Sequence, residues 1–514
     1  LAQAWHNRGN ALQATGQFAD ALDAFDRAIA VRPDYPEALS ERIHTRYLAC
    51  DWRRRDADDA ELIDLVRRDA AVAPFALLPT SASGEEQLRC ARQWGRRFPR
   101  TPEPLAGSRP RDPRRRLTVG YLSGDFRQHP LAHLIVDVLE HHDRTQFEVV
   151  GYDLRLHNDS AIRRRLVAAC DRFVDLSVLP DLSAAQTIAN HETDILVDLS
   201  GYTTRARSGV LALRPAPIQV SYLGYIGSMG ADFIDYIVAD PVALPLAQQR
   251  FYDEKIVHLP VSYQPNGTTR EMSPRRFSRE GCGLPERGFV FCCFNTSYKI
   301  APDVFAIWMR LLATVPGSVL WLIGGNPPAE ANLRREAAER GIGPERLVFA
   351  PKVSYPEYLA RCAIGDLFLD TLPYCAGATA SDMLWAGLPL VTCVGAGFAG
   401  RMAASALTAC GLAELITETA AAYEALALRL ATEPSELARV RAVLRDRVRA
   451  SPLFDAARCT RHLEAAYSEM WRRHCDGETP ASFAVADPAD AREPGGFAPS
   501  TPSKGAAFAI HLSG

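Results

Sequence analysis

The chain has 514 residues and sets 58 Lys+Arg against 61 Asp+Glu, a formal net charge of −3. Near-neutrality excludes an electrostatic nucleic-acid or membrane-surface binder, which needs a basic face, and no apolar run approaches the roughly 18–20 residues of a membrane span. At about 100–200 residues per domain, the length predicts about three domains with ample core. Lysine stands only at Lys255, Lys299, Lys352 and Lys504; the other 54 basic residues are arginine. That skew reads as codon bias, yet it makes each lysine worth individual scrutiny. The twelve cysteines include no C-x-x-C pair, and Cys292, Cys293 and Cys393 sit in apolar runs. They read as reduced core thiols of a cytoplasmic protein, neither zinc ligands nor disulfide partners.

In chain order the first element is a helical repeat. Trp5, Gly9, Ala21, Phe25, Ala28 and Pro33 follow the tetratricopeptide spacing of a W–G pair, an A-x3-F and a closing proline. A second unit begins at Pro36–Leu39, runs through Tyr47 and decays by Trp52. So short an array cannot bury its faces alone; either further repeats precede Leu1 or these helices dock on the C-terminal part of the chain. Residues 51–100 remain helical in pattern, and 101–116, rich in Pro and Arg, reads as a linker.

From Leu117 apolar runs of strand length alternate with amphipathic segments. The first set is 117–123, 147–154, 195–202, 218–225 and 236–240, with helical stretches at 131–141, 160–169 and 184–190. Lys255 falls on an expected surface turn, and a turn-rich stretch at 264–287 interrupts the pattern. It restarts with 289–295, 318–324, 346–350, 367–371 and 389–393. Near-continuous apolar strands separated by helices predict parallel sheets covered on both faces. The resulting division is a helical segment 1–100, a linker 101–116, Rossmann-like domains over 117–270 and 288–454, a crossing helix 455–475 and a mostly disordered tail 476–514.

In open α/β sheets ligands bind beyond the carboxyl ends of strands, so the loops there are the candidates. Pro373–Asp382 runs small residues and hydroxyls into a helix start, where free backbone N–H groups favour a phosphate or diphosphate; Ser381 or Asp382 could instead cap that helix. Lys299 ends a buried strand, where a compact cation neutralises a leaving phosphate. His129 stands between the first strand and its helix, and the Gly224–Gly230 loop offers backbone donors on the same side.

The runs VGYLSGDFRQHPLAHL, LVDLSGYTTRARSGVLALRPAPIQVSYLGYIGSMG, VFCCFNTSYKIAP and FLDTLPYCAGATASDMLWAG, with a terminal SPLFDA, closely resemble the nucleocytoplasmic O-GlcNAc transferases, over roughly Leu117 to Trp471. The resemblance implies a GT-B fold behind the tetratricopeptide segment, UDP-GlcNAc as donor, serine or threonine hydroxyls of proteins as acceptors, inversion at the anomeric carbon and no metal or other cofactor. It implies protein or peptide acceptors reaching the site by the tetratricopeptide groove, with neither nucleic acid nor membrane as partner.

Carried over by matching blocks, His129 implies a contact to donor and acceptor, and Lys299 the cation at the β-phosphate of departing UDP. Thr296 takes the place of a glutamine at the phosphates. Arg361 falls near the uracil, Ala378 and Thr379 at the diphosphate and Asp382 at the ribose hydroxyls, with Val353, Ala380 and Ser381 among the donor-binding positions. Gly227, Ser228 and Gly230 fall in the sugar and acceptor loop. Four positions depart from the pattern. Tyr355 and Tyr358 replace a lysine and a histidine that flank the nucleotide, Gly377 replaces a histidine, and Asp194 replaces another; Lys352 is the candidate substitute for the missing lysine. Asp194 or a relay through water stands as the base. Two other readings compete: the same fold with another nucleotide sugar, as in SPINDLY-type protein O-fucosyltransferases, and a nucleotide-binding scaffold that transfers little.

Overall fold

The computed structural model describes residues 1–107, 112, 115–156, 159–204 and 206–487. Five helices open the chain: α1 (Ala2–Ala14), α2 (Phe18–Val31), α3 (Pro36–Leu48), α4 (Arg55–Arg67) and α5 (Gly84–Gly95). A Cβ on Gly9 of α1 would stand 2.4 Å from the Phe25 ring of α2, so the first hairpin closes only with glycine there. Pro36 opens α3 at its first turn, where its missing N–H costs nothing. A Ser83–Glu86 capping box starts α5.

The first sheet uses β1 (Leu117–Ser123), β2 (Phe147–Asp153), β3 (Arg172–Asp175), β4 (Ile195–Asp198), β5 (Ile218–Ser221), β6 (Tyr236–Ala239) and β7 (Lys255–His258). Its order is β7-β6-β5-β4-β1-β2-β3, and every pairing is parallel. Helices α6 (Pro130–His141), α7 (Ala161–Ala168), α8 (Asp181–Asn190) and α9 (Ser208–Ala212) connect its strands. All seven residues of β1 are buried, as a strand covered on both faces requires.

The second sheet uses β8 (Val290–Cys293), β9 (Val319–Ile323), β10 (Leu347–Ala350), β11 (Leu367–Leu369), β12 (Leu390–Cys393) and β13 (Ile416–Thr417), in the order β10-β9-β8-β11-β12-β13. Its helices are α10 (Pro302–Thr314), α11 (Pro327–Glu339), α12 (Tyr355–Cys362), α13 (Ala378–Ala386), α14 (Met402–Ala409), α15 (Ala420–Thr432) and α16 (Pro434–Arg447). In each sheet the chain winds outward for three strands and then returns beside its first strand. The reversals fall between β1 and β4 and between β8 and β11, and those crevices are where a doubly wound sheet binds ligands.

Helix α17 (Ala456–Cys475) returns to the first domain. Tyr467 meets Tyr121 of β1 at 3.2 Å, and Glu464 meets His142 at 3.0 Å. The helical segment docks on both domains. Ser297 donates to the Leu48 carbonyl at 2.6 Å, Asn332 to the Ala49 carbonyl at 2.8 Å, and Arg92 pairs with Asp253. That docking buries faces the short array cannot bury itself.

Two expectations change. Lys255 does not lie on a turn; it is the first residue of β7. Within the expected linker, Ala106 donates to the Arg214 carbonyl at 3.0 Å and so ties residues 101–107 to the first domain. The tail is structured through 487. There β14 (Phe483–Ala484) adds to the open edge of β7, and Asp487 pairs with Arg458 and, at 3.4 Å, His462. An unpaired strand edge and the contacts of the Asp487 carboxylate order this stretch, and composition registers neither. The rest of the expected tail, 488–514 with Lys504, lies outside the described residues.

Candidate active site

The two crevices face each other across a cavity of about 520 Å³. The first domain contributes Asp125, His129 and Thr203; the second contributes Thr296, Lys299, Tyr374 and Gly377–Thr379. Ala14 and Phe75 of the helical segment complete its lining. Three separate parts of the chain therefore build one chamber.

His129 is the N-cap of α6, and its Nδ1 accepts from the Leu131 N–H at 3.3 Å. An Nδ1 that accepts carries no proton, so the neutral ring bears its hydrogen on Nε2. This histidine is thereby a hydrogen-bond donor rather than a base.

Lys299 ends a 3-10 turn after β8. Its Nζ donates to the Cys375 carbonyl at 2.9 Å and lies 3.9 Å from the centre of the Tyr374 ring. Burial pushes its pKa down to about 8, against the pull of Cys375 and Asp370. The loop it touches is held from below. Buried Asp370 accepts from the Thr371 and Ala376 N–H groups, both at 2.8 Å, and from Thr392 at 2.7 Å.

The loop's helix, α13, is capped by Gly377 with no side-chain hydrogen bond. Ser381 and Asp382 lie a turn further in, so neither caps it. The first-turn groups of Ala378 and Thr379 thus open into the cavity that they line, in a field that favours an anion. Ala380 and Ser381 are interior: Ser381 donates to the Ala378 carbonyl and accepts from Gln264, both at 2.9 Å. Asp382 accepts from Tyr355 at 2.7 Å and pairs with Arg270 at 2.8 Å. Tyr358 stands behind Tyr355, their rings stacked at 6.2 Å. Arg361 donates to the Pro351 carbonyl at 2.8 Å and so holds the segment carrying Val353 from behind.

Two assignments are overturned. Asp194 precedes β4, at the amino end of the sheet, and accepts from the Thr118 N–H at the start of β1 at 2.9 Å while pairing with Arg115. A parallel sheet separates that end from the cavity, so Asp194 is not the base. The loop residues Gly227, Ser228 and Gly230 also turn away. Ser228 donates to buried Glu254 at 2.7 Å, and Gly230, at φ +53°, packs against the backbone of α5. Leu223, Gly224 and Ile226 are the part of that loop on the cavity. Lys352 lines a neighbouring cavity of about 460 Å³, roofed by the α1–α2 turn, which shares Ala14 and Thr296 with the first.

Sequence reading missed Arg270, His133, Asp370 and Thr203. The His133 ring stacks on Tyr355 at 4.2 Å and joins α6 to α12 across the cleft. Burial lowers its pKa to about 4 and keeps it neutral. Thr203 has a buried hydroxyl without a partner among the described residues; the GYTTRARSG block that contains it was the available signal. Nothing in the pattern around Arg270 separates it from 53 other arginines. Among the described residues no group of three His, Cys, Asp or Glu side chains is placed to hold a metal, and no helix is long and apolar enough to cross a membrane.

Two doubly wound domains facing across a cleft, with a cation and an open helix start on one wall, are the GT-B glycosyltransferase arrangement. The chain belongs to glycosyl transferase family 41, whose model matches residues 107–276 and 264–463; a tetratricopeptide repeat model matches 2–35. It is 34% identical over 466 residues to the probable UDP-N-acetylglucosamine–peptide N-acetylglucosaminyltransferase SEC of Arabidopsis thaliana, covering 86% of this chain and 48% of that one. It is 30% identical over 475 residues to the UDP-N-acetylglucosamine–peptide N-acetylglucosaminyltransferase of Caenorhabditis elegans, covering 70% and 41%. The chain thus spans about half the length, or less, of these curated relatives. Among solved structures it resembles a lysine-to-methionine mutant of the Thermobaculum terrenum O-GlcNAc transferase, with a TM-score of 0.80, 31% identity and coverage of 93% and 92%.

Proposed function

We propose that the protein transfers GlcNAc from UDP-GlcNAc to serine or threonine hydroxyls of proteins, inverting the anomeric carbon and using no metal ion. One observation carries this reading: Lys299 and the first turn of α13 converge on the same cavity from two different strand ends. The hydroxyl oxygen attacks C1 as the bond from C1 to the diphosphate oxygen breaks, and charge accumulates on the departing UDP. The Lys299 ammonium and the Ala378 and Thr379 N–H groups meet that charge without rearranging, the preorganisation that lowers such barriers most. His129, donating from Nε2, holds the sugar, and the hydroxyl proton leaves to water. Asp382 takes the ribose hydroxyls. The acceptor chain enters past Ala14 and Phe75, along the groove of the tetratricopeptide segment, and the setting is the cytoplasm. The names of the Arabidopsis, Caenorhabditis and Thermobaculum relatives support the donor.

Incubation with UDP-GlcNAc and a peptide library, read by mass spectrometry, tests the reading, with EDTA and GDP-fucose as further arms. GlcNAc on serine or threonine, unaffected by EDTA, is expected. Preference for GDP-fucose would replace the donor, and UDP binding without transfer would make the protein a nucleotide-binding scaffold.

A further inference from the structure

Residues 264–270 cross between the domains beside the cavity. On the first domain Thr269 donates to Asp137 of α6 at 2.9 Å. Gly267 lies so close that a Cβ there would stand 1.7 Å from the Asp137 carboxylate. On the second domain Gln264 donates to Ser381, and Arg270 reaches Ser381 at 3.3 Å and Asp382 at 2.8 Å. The second terminal nitrogen of Arg270 donates to Asn266, which is fully buried, and its Nε has no partner among the described residues. The Arg270 side chain is only 3% exposed, so its charge has no use in solvent. Tyr355 and Arg270 both bind Oδ1 of Asp382, leaving Oδ2 without a partner among the described residues.

We propose that Arg270 is a positioning residue of the donor site: it keeps the Asp382 carboxylate ionised, aims Oδ2 at the ribose hydroxyls and ties that carboxylate to the helix bearing His129. The inference rests on the UDP-sugar reading above. A carboxylate this buried resists charging unless a cation faces it, and burial does raise the Asp382 pKa while Arg270 opposes it. The other groups facing Asp382 are Tyr355, Tyr358 and Cys362 of α12, with His133 of α6 stacked on Tyr355; none carries positive charge at neutral pH. Arg270 therefore supplies the only cation in contact with Asp382 among the described residues.

Calorimetric titration with UDP from pH 6.5 to 9 tests this on native protein, Arg270→Gln and Arg270→Lys. The ratio of variant to native Kd at each pH cancels the titration of Lys299 and of UDP itself. For Arg270→Gln a ratio of about 10–100 is expected at pH 6.5, shrinking at least threefold by pH 9 as Asp382 regains its charge. A ratio near one, or a large ratio that stays constant with pH, overturns the proposal, because a purely structural contact has no reason to recover with pH. If Arg270→Gln does not fold, Arg270→Lys decides: with the charge kept, UDP affinity within threefold of native at every pH is expected, and a greater loss overturns it. Native protein that fails to bind UDP would sink the functional reading, and this proposal with it; native binding with unaffected variants sinks this proposal alone.

Discussion

The Lys299 ammonium stands 3.9 Å from the centre of the Tyr374 ring and donates to the carbonyl of the next residue, Cys375. The tyrosine face and the carbonyl hold a cation at the edge of a cavity that otherwise penalises charge. Burial takes its pKa down to about 8, and a diphosphate arriving beside it pulls that value back up.

Lys299→Met is expected to lower kcat by about 10²–10³, on the order of 3–4 kcal/mol, while the Kd for UDP-GlcNAc changes far less. Single-turnover rates and calorimetry separate the two, and an unchanged kcat would remove Lys299 from the mechanism. The ammonium is the working form, so kcat/KM of the native protein should fall as pH rises through about 8. In Lys299→Met that limb disappears.

His129 serves both α6 and the cavity, and two variants separate the duties. His129→Ala loses the cap to Leu131, costing about 1 kcal/mol in thermal or urea unfolding, and also loses transfer. His129→Asn restores a cap acceptor and should recover the stability without the transfer. Recovery of both together would make the histidine a cap and nothing more.

Asp194→Asn is expected to leave kcat within about twofold of native, because Asp194 lies at the far end of β4. Its cost falls on the fold. The half-buried Arg115 charge loses its partner at the foot of the first sheet, a loss of about 1–3 kcal/mol. Equilibrium unfolding and a turnover assay on the same preparation check both halves; a large loss of kcat in fully folded protein would restore Asp194 to the chemistry.

Glu254, fully buried, accepts from Ser228 and from the Met229 N–H, and burial raises its pKa to about 7. A carboxyl raised this way favours the folded state below its unfolded pKa, and that contribution is lost as pH rises through about 7. Native stability should therefore fall by on the order of 1–3 kcal/mol between about pH 4.5 and 7.5. Glu254→Gln should remove that component of the slope. Identical pH–stability curves for the two proteins would contradict the assignment.

Much of the fold was legible because its signals are local. The W–G and A-x3-F spacing marks the first hairpin, and Gly9 against Phe25 is the contact that spacing encodes. The buried apolar strands β1, β8 and β9 announced themselves by hydrophobicity. Short edge strands did not: β3 has intermediate or exposed residues throughout, and β14 exists only because β7 offers an edge. Lys299, His129 and the α13 loop were legible because a strand end followed by a helix start is readable as a pattern. Asp194 was misplaced because the residue before a strand and the residue after it look equally adjacent in one dimension, yet lie at opposite ends of the sheet.

By itself the sequence determined the repeat, the two doubly wound domains, and the lysine and helix start that meet an anion, since each depends on periodicity or on residues close along the chain. Only the tertiary structure decided which end of the sheet each candidate occupies, that the α13 start is left uncapped, and that one arginine among 54 is buried against Asp382. Burial and contact across 112 positions between Arg270 and Asp382 arise when separate elements close on one another, and no local pattern carries that information.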